Sequence, residues 1–147
     1  MSPRNPSRRG WMNEDGGGWV AHRLSLLTSP AWQRRPRPLV KIMDRLEIEH
    51  LRHAGNENGN LCVSYDQFVA FGVSRKAIKP ALELGEALGL LEIVRVENWE
   101  GSHRPPNLFR LCYLPAKGKK APTDEWRSHS PGRVAEIMRR SSEGGSK

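Results

Sequence analysis

Among the side chains able to do chemistry, the most suggestive group is cationic: Arg75, Lys76 and Lys79 crowd together directly after Ser74. Cations gathered at the start of a helix suit a phosphate-bearing partner, because the helix N-terminus itself favours an anion. Other constellations are weaker. His50 and His53 stand three apart and, with Cys62 or Cys112, would make a zinc set in principle, but a pair of this kind more often marks a helix end and no metal is expected. Asp44, Glu47 and Glu57 have no aligned base for proton transfer and read as surface charges. A glycine-rich phosphate loop, an HExxH pair, a nucleophile elbow and paired carboxylates are all missing from the sequence, so neither catalysis nor a cofactor is expected.

Composition points the same way. Lys and Arg number 24 against 16 Asp and Glu, a formal charge of +8, which puts nucleic acid first and anionic lipid second among partners. Lipid weakens because no apolar run approaches the roughly 20 residues of a membrane span. The arginines Arg4, Arg8 and Arg9 are followed by no apolar stretch of the secretory kind, so a cytoplasmic protein without membrane contact is expected. At 147 residues and 37% hydrophobic, the chain has material for one core. Cys62 and Cys112 both sit in short apolar runs and are expected to be buried, unpaired thiols.

The elements that must position the cations follow from periodicity and punctuation. Residues 1–18, with Pro3, Pro6 and a glycine triplet, read as a disordered basic tail. The stretch 19–27 could be a strand or a packed segment. Ser29-Pro30 starts a helix that Pro36 and Pro38 keep short. Leu39, Ile42, Met43, Leu46 and Leu51 recur at helical steps and predict an amphipathic helix ending near Gly55. Asn58-Gly59 signals a turn, 61–63 a brief strand, and Ser64 with Gln67 a capping box opening a helix that Gly72 stops.

Ser74 is the next expected N-cap, and the helix it begins closes at Gly89, with Leu90 placed for the accompanying contact. Wound at about 100° per residue, this helix groups Ala77, Ile78, Ala81, Leu84, Gly85 and Leu88 on one face. Arg75, Lys76, Lys79, Glu83 and Glu86 take the other, positive in the first two turns and negative later. Pro80 leaves two alternatives, a kinked helix or a start nearer Lys79. Residues 91–96 and 108–113 read as a hairpin with a long tip. Beyond Pro115 a basic linker leads to a short turn at 123–127, a helix at 131–140 and a flexible end.

The element order, helix, strand, helix, helix, strand, strand, and the spacing from Val63 to Tyr113 resemble the winged helix-turn-helix superfamily, and the stretch FGVSRKAIKPALELGEALGLLEIVRV (71–96) looks like its helix-turn-helix-to-wing junction. The wider segment from Trp32 to Pro115 resembles small winged-helix proteins of bacterial chromosomes and mobile elements. This resemblance implies an α+β fold: a three-helix core with a β-hairpin wing over residues 19–115, flanked by the tail 1–18 and a basic linker and short helix in 116–147. It also implies double-stranded DNA as partner, with the third helix in the major groove and the wing on the backbone.

Lys76 and Lys79 then become the leading groove contacts, with Ser74 and Arg75 beside them and His103 and Arg104 on the wing. Lys117, Lys119 and Lys120, with the tail residues Arg8 and Arg9, suit sequence-independent phosphate contact. The expected role is a transcriptional regulator or a replication or mobile-element accessory factor. A homodimer formed through the first helix or the segment around Trp126 and 134–138 would supplement one small recognition helix. The alternative is a module that binds another protein, favoured by Glu83, Glu86 and a wing carrying Trp99 beside acidic residues.

Overall fold

A computed structural model of the chain describes residues 18–96, 99–101 and 105–144. It is an α+β structure with six helices and a small antiparallel sheet. In chain order these are α1 (Leu24–Leu27), α2 (Pro30–Gln33), α3 (Arg37–Arg52), β1 (Leu61–Cys62), α4 (Tyr65–Ala70), α5 (Arg75–Ala87), β2 (Leu91–Val94), β3 (Leu108–Leu111) and α6 (Pro131–Gly144). A 3-10 turn, Glu125–Ser128, precedes α6. The sheet order is β1-β3-β2, with Leu61 opposite Phe109 and Leu91 opposite Leu111. Among the described residues no helix is long and apolar enough to cross a membrane.

The local signals act as physical chemistry dictates. Ser29 Oγ accepts from the Trp32 amide with Pro30 at the first helical position. Ser64 and Gln67 form a reciprocal capping box, with bonds of 3.1 and 2.8 Å. Gly72, at φ 104°, takes the left-handed turn that ends α4. At the end of α5 the Leu90 amide donates to Gly85 O and the Gly89 amide to Glu86 O, both at 3.0 Å, the paired bonds of a Schellman ending.

That ending places α5 where it must be. It lies across α3 and β2, burying Ile78, Ala81, Leu82 and Leu84. Gly85 is the point of closest approach: a Cβ there would fall 2.7 Å from Leu91 Cδ2 and 2.8 Å from Leu39 Cδ1. A Cβ on Gly89 would meet the Trp126 backbone nitrogen at 2.6 Å. Both glycines let backbones and side chains close to distances no larger residue permits.

Several expectations change. The helix α5 starts at Arg75 and continues through Pro80, so the later start near Lys79 is not adopted. Ser74 holds the N-cap position in extended geometry, but its side chain makes no capping bond. Cys62 is exposed rather than buried, because its neighbours Leu61 and Val63 take the inward positions of this edge segment; Cys112 is buried. Burial raises the Cys112 thiol to about 11. Glu47 is buried rather than a surface charge, its Oε1 lying 2.6 Å from His22 Nε2. Burial pushes its carboxyl up, and His22 pulls it partly back.

The core also runs past residue 115, where the sequence suggested that the domain ends. Trp126, Val134 and Ile137 are buried in it, so they are not available as the dimer contact expected of them. The final helix reaches Gly144 instead of giving way to a flexible end near 141. Upstream, the open stretch 19–27 resolves into an extended segment leading to α1. His22 packs between Trp32 and Tyr113, with ring centroids 4.9 and 5.8 Å away. Arg23 forms a two-pronged ion pair with Asp124, which also accepts from Trp126 Nε1 at 3.2 Å.

Two substitutions test this packing. Gly85→Ala gains about 1 kcal/mol of helix propensity but overpacks Leu39 and Leu91 by about 1–3 kcal/mol, so chemical denaturation should show a net loss. Gly89→Ala should lose more, because the obstructing atom is backbone and φ is 75°. Separately, burial pushes the Asp124 carboxyl up, but the Arg23 pair outweighs it and holds the pKa below its usual value. A depressed folded-state pKa adds stability above the unfolded value of about 3.9 and loses it as pH falls through the folded one. Asp124→Asn should therefore be less stable than wild type at pH 7, with the gap closing below about pH 4 in urea titrations.

Candidate nucleic-acid interface

The start of α5 is held from below and open above. Ile78 and Ala81 point into the core, which turns Arg75, Lys76 and Lys79 outward, all exposed. Lys76 and Lys79 form no ion pair among the described residues. The expectation that they face solvent beside one another is met, whereas the acidic second half of the helix is engaged elsewhere. Glu86 accepts from the Ile93 amide at 3.0 Å and so ties α5 to β2, and Glu83 lines a groove shared with α6.

Arg75 differs from its neighbours. Its guanidinium is paired with the Asp66 carboxylate on α4, across the turn that joins the two helices. Both side chains remain exposed, at 59% and 85%, so solvent screens the pair and it contributes little to folding. The pair sits in a cleft of about 670 Å³ lined by Ser64, Tyr65, Asp66, Arg75 and Lys79, with Pro105 and Asn107 on its far wall. The cleft brings together the start of α4, the first two turns of α5 and the segment entering β3.

The hairpin of β2 and β3 is closed by pairs from Leu91–Leu111 to Val94–Leu108. Trp99 is 45% exposed, and a Cβ at Gly101 would lie 2.5 Å from its ring. His103, Arg104, Arg8 and Arg9, all expected as contacts, lie outside the described residues.

Lys117, Lys119 and Lys120 are not brought to α5. They form an ordered turn, closed by a bridge between Ala116 and Lys120 and anchored by the Lys117 amide on Asn58 O at 2.9 Å. Lys117 and Lys120 line a separate cleft with Glu92, Val94 and Arg110. What looked like a loose basic linker is therefore part of the folded unit, because the buried Asn58 side chain bonds Leu111 O, Leu114 O, Pro115 O and the Leu111 amide.

Two residues of the open face escaped notice in the sequence. Asp66 carries the countercharge for Arg75, and no pattern in YDQF marks it for that task. Lys41, on α3, lies at the turn between α4 and α5, its Nζ 5.6 Å from the Phe71 ring centroid. A Cβ at Gly72 would fall 3.2 Å from this Nζ. Only its helical phase on α3 hinted at this place. Among the described residues no three His, Cys, Asp or Glu side chains gather where they could hold a metal. His50 is buried and desolvation lowers its pKa, while His53 approaches Glu49 at 3.4 Å.

Comparison of the chain with protein-family models, with curated proteins and with solved structures finds no match in any of the three. The geometry of the interface therefore carries the functional argument. Asp66→Asn should change the unfolding free energy by less than about 1 kcal/mol, as measured in urea, because the pair it breaks is exposed.

Proposed function

We propose that this chain is a double-stranded DNA-binding protein of the winged helix-turn-helix kind. In this reading α3, α4 and α5 are its three core helices, α5 enters the major groove and the β2–β3 hairpin meets the adjacent backbone. One observation carries the proposal: Lys76 and Lys79 project from the first two turns of α5 with no ion partner among the described residues, while the rest of that helix is locked to α3 and β2. A helix presented by its N-terminal half, with cations there, matches how recognition helices reach base edges and phosphates.

Arg75 and Lys41 extend the positive surface on either side of the turn, and the cleft beside Arg75 opens next to Lys79. In such a complex Arg75 exchanges the Asp66 carboxylate for a phosphate, which the exposure of the pair makes inexpensive. The cellular role we infer is regulation of transcription, or an accessory part in replication or element mobility, with binding rather than catalysis as the activity.

The competing reading, a module that docks on another protein, rests on the exposed Trp99 and on the groove between α5 and α6, floored by Leu84 and Ile137. Fluorescence anisotropy on random duplex across a salt series separates the two. Lys76→Glu with Lys79→Glu should weaken duplex binding at least about tenfold and reduce the log–log salt slope by about two. Asp66→Asn should tighten it a few-fold. Duplex binding indifferent to the lysine pair, or no binding near physiological salt, would favour the protein-docking reading.

A further inference from the structure

The sheet has a second face that the DNA-binding reading does not use. Along β2 and β3 the inward positions are Leu91, Ile93, Phe109 and Leu111, which leaves Glu92, Val94 and Arg110 on the opposite, outer side. The chain beyond β3 folds back over this side. Arg110 Nη2 donates to Ala121 O at 3.2 Å, and the Ala116–Lys120 bridge shapes the returning segment into a turn beside Asn58 and Gly59. Between turn and strands lies a cleft of about 440 Å³.

Its charge is unbalanced. Arg110, Lys117 and Lys120 line it against the single carboxylate of Glu92, and neither Arg110 nor Lys120 forms an ion pair among the described residues. Lys117 is held by Glu57 at 3.2 Å on the rim. At the tip of the turn Gly118 and Lys119 are both left-handed, at φ 82° and 59°, and their amides form no backbone hydrogen bond among the described residues. Successive backbone amides in a turn can gather about an anion. The Asn58 bonds described above fix this turn at its base, so its donors are organised before any ligand arrives.

We propose that this cleft is a phosphate-binding site distinct from α5, in which Arg110 and Lys120 hold a phosphate group against the Lys117–Lys120 turn. A tetrahedral anion with several acceptor oxygens can take a guanidinium, an ammonium and backbone amides together, where a planar carboxylate reaches fewer of them. The phosphate can belong to a nucleic-acid backbone or to a small phosphorylated compound. The site stands on the opposite end of the β1–β3 ladder from the Arg75 cleft: Gly59 and Asn60 precede β1, while Ser64 and Tyr65 follow it. The two clefts share no lining residue, so they bind as separate sites.

Amide NMR on the full chain tests this and reads both faces in the same spectra. Inorganic pyrophosphate and a short DNA duplex are titrated separately, each against chloride at matched ionic strength. Saturable shifts at Gly59, Gly118 and Lys119 with pyrophosphate identify a site that accepts small phosphates. The same shifts with duplex alone identify the nucleic-acid backbone as the source. Either result should weaken roughly fivefold in Lys120→Gln, which alters an exposed side chain, and more in Arg110→Gln. Absence of shifts at these amides with both ligands, or shifts unchanged in the two variants, overturns the proposal. A failure of the α5 reading shows instead at the amides of 75–79.

Discussion

Everything on the open face of this molecule depends on how closely α5 can approach α3 and β2. At Gly85 the helix backbone lies so near Leu39 and Leu91 that a single methyl group would collide with both. Four residues later the Schellman ending at Gly89 turns the chain directly into β2, and the same glycine admits the Trp126 backbone from the C-terminal segment. Glu86 adds a bond to the Ile93 amide on β2. These contacts all fall in the second half of α5. The helix is thus fastened most closely in its second half, and its first two turns, held from below by Ile78 and Ala81, present their outer side on a rigid support, which is what a group that must meet a partner in fixed geometry requires.

The same division explains the charges. An amphipathic helix with positive and negative ends can be a solvated face whose charges pair with one another. Here Glu86 is bonded to β2 and Glu83 lines the groove beside α6, while among the described residues Lys76 and Lys79 form no ion pair and Arg75 pairs with Asp66. That pair is exposed enough to exchange. In the proposed DNA-binding reading these cations meet the polyanion, and Asp66 is the local countercharge that moderates them in the free protein. The aromatic cluster of His22, Trp32 and Tyr113 serves a different purpose: with the Arg23–Asp124 pair it clamps the N-terminal segment to the far side of the core.

Much of this was legible in the sequence wherever the determinant was local. Capping boxes, glycine stops and helical phase depend on residues within one turn of each other, so Ser64–Gln67, Gly72, Gly89 and the inward face of α5 could be read directly. Determinants that join distant parts of the chain could not. Asn58 forms the turn with Gly59 that the sequence signals, but its side chain is also a buried hub for a segment more than fifty residues away, which no local pattern shows and which is why the lysines at 117–120 read as a linker. Trp126 in its short turn and Val134 and Ile137 on the last helix read as a possible dimer contact, yet all three are buried in the core, and the last helix packs there against α2 and α5. Asp66 and Arg75 are nine residues apart on different helices, and no periodicity links them.

The central claim is that a duplex meets the first two turns of α5. Lysine footprinting addresses it without any substitution: the chain is reductively methylated with and without a DNA duplex, and modification of each lysine is read by mass spectrometry. The account predicts strong protection of Lys76 and Lys79 by duplex, protection that disappears as salt is raised. If both lysines are modified equally well in the presence of saturating duplex, α5 is not the binding helix and the account is wrong.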